Sequence, residues 1–260
     1  MSRLPIVFFG HGSPMVALET SDVTRSWGRI AAEIGKPKAI LCISAHWLTR
    51  GTAVTAMAQP RTIHDFGAFP QALFDVQYPA PGDPLLAHRI RKLLEPMPVA
   101  IDHGWGLDHG TWSVLVHAYP DADVPVVQLG MDMAKPPAAH WAIGRALRPL
   151  RDEGVLVMGT GNIVHNLPAM DWSNATAPPY PWAARFNAAM LEAIAEDRPE
   201  DVIEFEDLGD DARLSVPSPD HFWPLLYVLG ARHPGESARF GPDFIQYKSL
   251  SMTSILIGAA

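Results

Sequence analysis

A single cysteine, Cys42, stands among 260 residues. No disulfide can close within the chain, and a reduced, cytoplasmic setting is expected. Cys42 lies inside the apolar run Ala39–Ile43 and reads as a small buried hydrophobe. No basic run occurs, and the formal net charge is −8. That sign argues against nucleic acid or an anionic membrane as a partner. No apolar stretch approaches the ~18 residues of a membrane span, and no charged, apolar leader is recognisable. Charged residues make up only 18% against 48% hydrophobic, the balance of a chain that folds around a core.

Proline and glycine are plentiful, at 25 and 20 residues. Proline alone is well above its usual ~5% share, which points to shaped loops laid over a scaffold. Short β-rich runs at Ile6–Phe9, Ala39–Ser44, Thr52–Met57, Val99–Asp102, Val124–Leu129, from Val155, and at Ser251–Ile257 read as strands. Helical spacing of apolar residues is expected over Asp22–Ile34, Leu85–Leu94, from about Thr111, Ala138–Leu150 and Trp182–Ile194. Gly35 and Pro37 close the first of these. The alternation predicts a single α/β domain over residues 1–260, a central mostly parallel or mixed sheet flanked by helices. The first two strands are expected to be parallel neighbours across a right-handed crossover.

The stretch Val155–Leu167 is the organising one. It reads as a buried strand running into a Gly159-Thr160-Gly161-Asn162 turn, with His165 just beyond. Ligands of open α/β sheets bind past the carboxyl ends of the strands. His11, between Gly10 and Gly12, and His46 also follow strands, and His221 opens an aromatic helical segment. His109, between Asp108 and Gly110, precedes another helix. His64 beside Asp65 is read as catalytic, substrate-lining or structural. His88 is expected to be solvated, His117 structural, and His140 without special context. The acidic segment Glu204–Asp211 reads as a solvated surface. Imidazoles from distant strand ends suggest a mononuclear metal centre, since no local zinc-finger spacing is present.

The motifs His-Gly-Ser-Pro-Met at 11–15, Ser-Ala-His-Trp at 44–47, His-Asp-Phe at 64–66, Gly-Leu-Asp-His-Gly-Thr-Trp at 106–112, Gly-Thr-Gly-Asn-Ile-Val-His-Asn-Leu at 159–167 and Pro-Asp-His-Phe-Trp-Pro-Leu at 219–225 run in order over nearly the whole chain. Together they resemble the 4,5-DOPA extradiol dioxygenase family, one of the class III extradiol ring-cleaving dioxygenases. The resemblance implies one non-haem metal ion per chain, Fe(II) for ring cleavage, with Zn(II) often in its place. It implies His11, His46 and His221 as metal ligands, His165 as acid/base histidine or fourth ligand, and His109 as a second pocket histidine. The implied partners are a small aromatic diol and O2, the implied product a ring-opened semialdehyde, and the assembly a monomer or small homo-oligomer.

Phe66, Trp105 and Trp223 are candidates for pocket walls or for packing, and Asp108 and Asp220 for a carboxylate ligand. Three neutral imidazoles also suit a zinc hydrolase or lyase using metal-bound water, and a zinc-holding protein without turnover.

Overall fold

The computed structural model describes residues 3–258, so the single domain expected over 1–260 extends two residues past the described range at each end. The strands are β1 (Ile6–Gly10), β2 (Ala39–Ser44), β3 (Leu48–Thr49), β4 (Thr52–Thr55), β5 (Val99–Asp102), β6 (Val126–Asp132), β7 (Val155–Gly161), β8 (Ala238–Phe240), β9 (Ile245–Gln246), β10 (Leu250–Ser251) and β11 (Ile255–Ile257). Nine of them form one sheet, in the order β5-β4-β6-β2-β7-β1-β11-β8 with β3 on β6, while β9 and β10 pair separately. The inner strands β6, β2, β7 and β1 are parallel. The antiparallel pairs β4–β6, β1–β11 and β11–β8 make the sheet mixed.

The inner strands are apolar at nearly every position because both of their faces are covered. Phe8, Leu41 and Val157 face one core, under helices 84–93, 137–146, 181–195 and 223–230. Phe9, Ile40 and Met158 face the other, under helices 22–34 and 109–118. Helix 22–34 has the expected bounds. Ser21 and Thr24 close a capping box at its start, and Gly35 ends it at φ 79°.

Three expectations are corrected. The first two strands are not neighbours: β7 lies between β1 and β2 and pairs in parallel with both. Adjacent-strand reasoning has no access to a strand that returns more than a hundred residues later. The expected Ala138–Leu150 helix divides into Pro137–Ala146 and Pro149–Asp152, since Pro149 has no N–H to continue the first. The closing run divides into β10 and β11. Among the described residues no helix is long and apolar enough to cross a membrane.

Candidate active site

The parallel strands share one direction, so β1, β2 and β7 deliver His11, His46 and His165 to the same edge of the sheet. His109 and His221 come from elsewhere. His109 is the first residue of helix 109–118, whose N-cap is Asp108, and His221 ends the 3-10 turn 219–221. All five imidazoles line one cavity of about 290 Å³.

Close backbone contacts hold these pieces together. Gly159 and Gly161 belong to β7 itself, a correction to the expected turn, which begins only at Asn162. A Cβ on Gly161 would lie 2.1 Å from the His221 carbonyl oxygen. This glycine lets the His221 segment pack directly on the strand. Next door, Asn162 N–H donates to that same carbonyl at 2.8 Å. The Asn162 side chain donates to the carbonyls of His11 and Ser251. Gly110 is equally confined, with Ser44 Oγ and His46 Cδ2 2.6 and 2.7 Å from where its Cβ would be.

Four of the five histidines have a defined polar neighbour. Thr160 Oγ1 donates to the Gly110 carbonyl at 2.9 Å and lies 2.9 Å from His11 Nδ1. Its one hydrogen is used, so it accepts from His11 Nδ1–H. His11 Nε2 is then a bare lone pair, and it sits 3.1 Å from His46 Nε2. Asp65 Oδ2 lies 3.7 Å from His46 Nδ1 and 3.0 Å from His109 Nδ1. The second is a close contact off hydrogen-bond alignment, while Asp65 Oδ1 accepts the His109 backbone N–H at 2.9 Å. Asp220 Oδ2 stands 2.6 Å from His221 Nδ1. Carboxylates beside Nδ1 favour a proton there and leave Nε2 free as a donor to a cation. Histidine metal ligands are held in this way.

The electrostatics agree. Burial, then the neighbouring imidazoles, push His11 and His46 well below the ordinary histidine range. Burial and His221 lower His165 to about 3. Burial alone would raise Asp65 and Asp220, but His109 and His221 hold their carboxyls below the usual range. Burial thus keeps His11, His46 and His165 neutral beside ionised carboxylates, which suits a divalent cation.

Two groupings of imidazoles are visible. Nitrogens of His11, His46 and His109 lie within 4.8 Å of one another. The ring centres of His11, His46 and His221 are spaced 5.3, 5.5 and 5.0 Å apart. Imidazoles sharing one ion at ordinary bond lengths put their ring centres roughly 5 Å apart. The His46 and His109 ring centres are only 3.8 Å apart, closer than two rings radiating from one ion. His165 stacks on His221 at 3.5 Å and 4°, which likewise suits a neighbour of the ion better than a second radiating ligand.

The carboxylate at Asp65 is the residue that sequence reasoning undervalued, because only the fold brings it to His109 and His46. Its neighbour His64 lies 3.0 Å from the Val76 carbonyl through Nε2 and packs among Phe66, Phe74 and Trp112. Asp108 faces Ser44 and Gln128, and neither it nor Asp220 lines the cavity. Phe66 is a wall, joined by Phe69, Trp172 and Tyr247. Trp105 stacks instead on Trp47, and Trp223 on His140. His140, given no role from the sequence, is fully buried with Nδ1 2.9 Å from the Tyr227 hydroxyl. His117 is structural, Nε2 2.9 Å from the Val16 carbonyl, and His88 is exposed.

Residues 5–256 match the family model described as the catalytic LigB subunit of aromatic ring-opening dioxygenase. The chain is 48% identical to the 4,5-DOPA dioxygenase extradiol of Escherichia coli, over 99% of this chain and 96% of that protein. Identity to the protein of the same name from Beta vulgaris is 40%, over 89% and 87%. Dioxygenase tasH of Hapsidospora irregularis is 32% identical, over 80% and 68%. A crystal structure of an uncharacterized Escherichia coli protein matches with a TM-score of 0.86 and 44% identity, covering 98% of this chain and 100% of that one.

Proposed function

The chain belongs to the family of catalytic LigB subunits of aromatic ring-opening dioxygenases, and on that premise we propose that it opens the ring of a small DOPA-like catechol with O2 to give a semialdehyde. The observation that carries this reading is the convergence of five imidazoles, two of them backed by carboxylates, on one aromatic-walled cavity.

His11, His46 and His221 would hold one non-haem metal ion, as their ring spacing favours. A second assignment puts His109 in place of His221 and rests on the tighter grouping of its nitrogen with those of His11 and His46. Bound there, Fe(II) supplies the redox link between a catechol and O2. The rest is work for the protein's own side chains. His165, kept neutral by burial, accepts a proton from a catechol oxygen and returns it when the ring opens. Stacking on His221 fixes its ring plane. Asp65 aims His109 at the substrate end of the cavity, and Phe66 and Phe69 give the ring an apolar slot and limit water.

The test is anaerobic loading with Fe(II), then oxygen uptake and visible absorbance with L-DOPA. A yellow ring-opened product, absent with zinc and absent from His11→Ala, is the expected result. Protein that holds its iron yet consumes no oxygen with any catechol would remove the reading.

A further inference from the structure

The charge of the cavity wall bears on which catechols enter it. Among the described residues no lysine or arginine lines the cavity, and Glu19 is the one side-chain carboxylate that does. The nearest candidates for a cationic clamp are engaged elsewhere. Lys248 Nζ lies 3.1 Å from Asp171 and 5.5 Å from the centre of the Tyr180 ring, and Arg61 donates to the Gly104 and Trp105 carbonyls. No ion pair among the described residues involves Glu19, so its charge is free for a ligand.

Glu19 is also set off along the chain from the His11 strand end. The 3-10 helix Pro14–Leu18 separates it from Ser13, and at ~2 Å per residue this carries the chain roughly 10 Å along. On the ring-opening reading, a catechol with its oxygens among the histidines would direct its side chain to the part of the cavity they do not line. Trp172 and Tyr247, 5.4 Å apart between ring centres, also line the cavity. The tip of the β9–β10 hairpin holds Tyr247 there with two consecutive left-handed residues, Tyr247 at φ 49° and Lys248 at φ 68°. Non-glycine residues in that conformation persist where the surroundings demand it, often at binding sites. A carboxylate with aromatic faces and no competing cation is the chemistry that recognises an ammonium group.

We propose that the outer part of the cavity is an ammonium subsite, formed by Glu19 with Trp172 and Tyr247, that selects catechols bearing a cationic amine on the side chain. This rests on the ring-opening reading for the orientation of the catechol. The amine-only side chain of dopamine is the best fit and the zwitterion of L-DOPA intermediate. The carboxylate of 3,4-dihydroxyphenylpropionate meets Glu19 without a compensating cation and is worst.

The three compounds would be compared by equilibrium binding to zinc-loaded protein and by kcat/KM with iron-loaded protein. Dopamine should bind at least about fivefold more tightly than the propionate, an exposed-ion-pair magnitude, with the difference in KM rather than kcat. Glu19→Gln, a change at an exposed position, should shrink that gap below about twofold. Equal binding of the three, a preference for the propionate, or a gap that Glu19→Gln leaves intact would overturn the proposal. A dopamine preference in the zinc form with no oxygen uptake from any of the three would uphold the subsite and overturn ring opening instead.

Discussion

The two ends of the sheet both bury polar groups, and they treat them in opposite ways. At the amino end, Arg151 is fully buried. It donates to the carbonyls of Leu4 and Ala231 and makes a paired contact with both Glu236 oxygens at 2.7 Å. Four of the five guanidinium N–H bonds meet an acceptor, as a buried structural charge requires. At the carboxyl end, the Nδ1 atoms of His11 and His221 are the ones with hydrogen-bond partners, and the Nε2 atoms of His11 and His46 face each other at 3.1 Å. A charge met on nearly every side marks a part built for stability. Converging lone pairs mark a part built to receive something.

Breaking that contrast should cost function at one end and stability at the other. The largest effect is expected from His11→Ala, which should bring ring opening to background and abolish tight metal binding. The metal-free variant should unfold no earlier than metal-free parent protein in a thermal melt. His165→Ala should lower turnover by about a hundred- to ten-thousandfold, the usual range for an acid/base group. Metal content by elemental analysis should stay near one ion per chain. Equal loss of metal would make His165 a ligand.

At the other end, Arg151→Ala strands Glu236 and two buried carbonyls. It should cost about 3–5 kcal/mol in a urea denaturation series, with turnover per folded molecule unchanged. Asp65→Asn should weaken metal affinity by about ten- to a hundredfold in a chelator competition. It leaves the fold intact, because the neutral amide retains an oxygen to accept the His109 N–H.

Acidification sharpens the comparison with the smallest change. His11, His46 and His165 have folded pKa values lowered by burial, His165 to about 3, and His140 is lowered by burial to about 4. Below the ordinary histidine value of about 6.5 the unfolded chain binds protons that the folded chain refuses. Metal-free protein should therefore lose stability steadily as pH falls from 6.5 toward 4, and be insensitive above 7. Burial would raise Glu236, but Arg151 holds its carboxyl below the ordinary value. The stability of that pair is fully present above about 4.3 and is lost only as pH falls further. Urea midpoints measured at pH 7.5, 5.5 and 4.5 would show the histidine end failing first.

Much of the site was legible along the chain because strand ends announce themselves. His11, His46 and His165 each follow an apolar run by one to four residues, and parallel strands have a common exit edge. His221 was legible as an unusual helix entry. The residues that escaped notice act across sequence distance. Asp65 sits in a loop and reaches histidines 19 residues before it and 44 after it. Asp220 stood out as a carboxylate beside a histidine, but only its contact with His221 Nδ1 shows that it orients a ring. His140 had no local signal, since its burial is decided by the helix packed over it.

Local pattern thus determined the class of the fold, the strand and helix cores, and the histidines that matter. Apolar periodicity and backbone chemistry act within a few residues. The tertiary structure decided which strand is central, which nitrogen of each histidine is left bare, how the rings are spaced, and what charge lines the cavity. Those are distances between segments far apart in the chain. They arise only when burial brings the segments together.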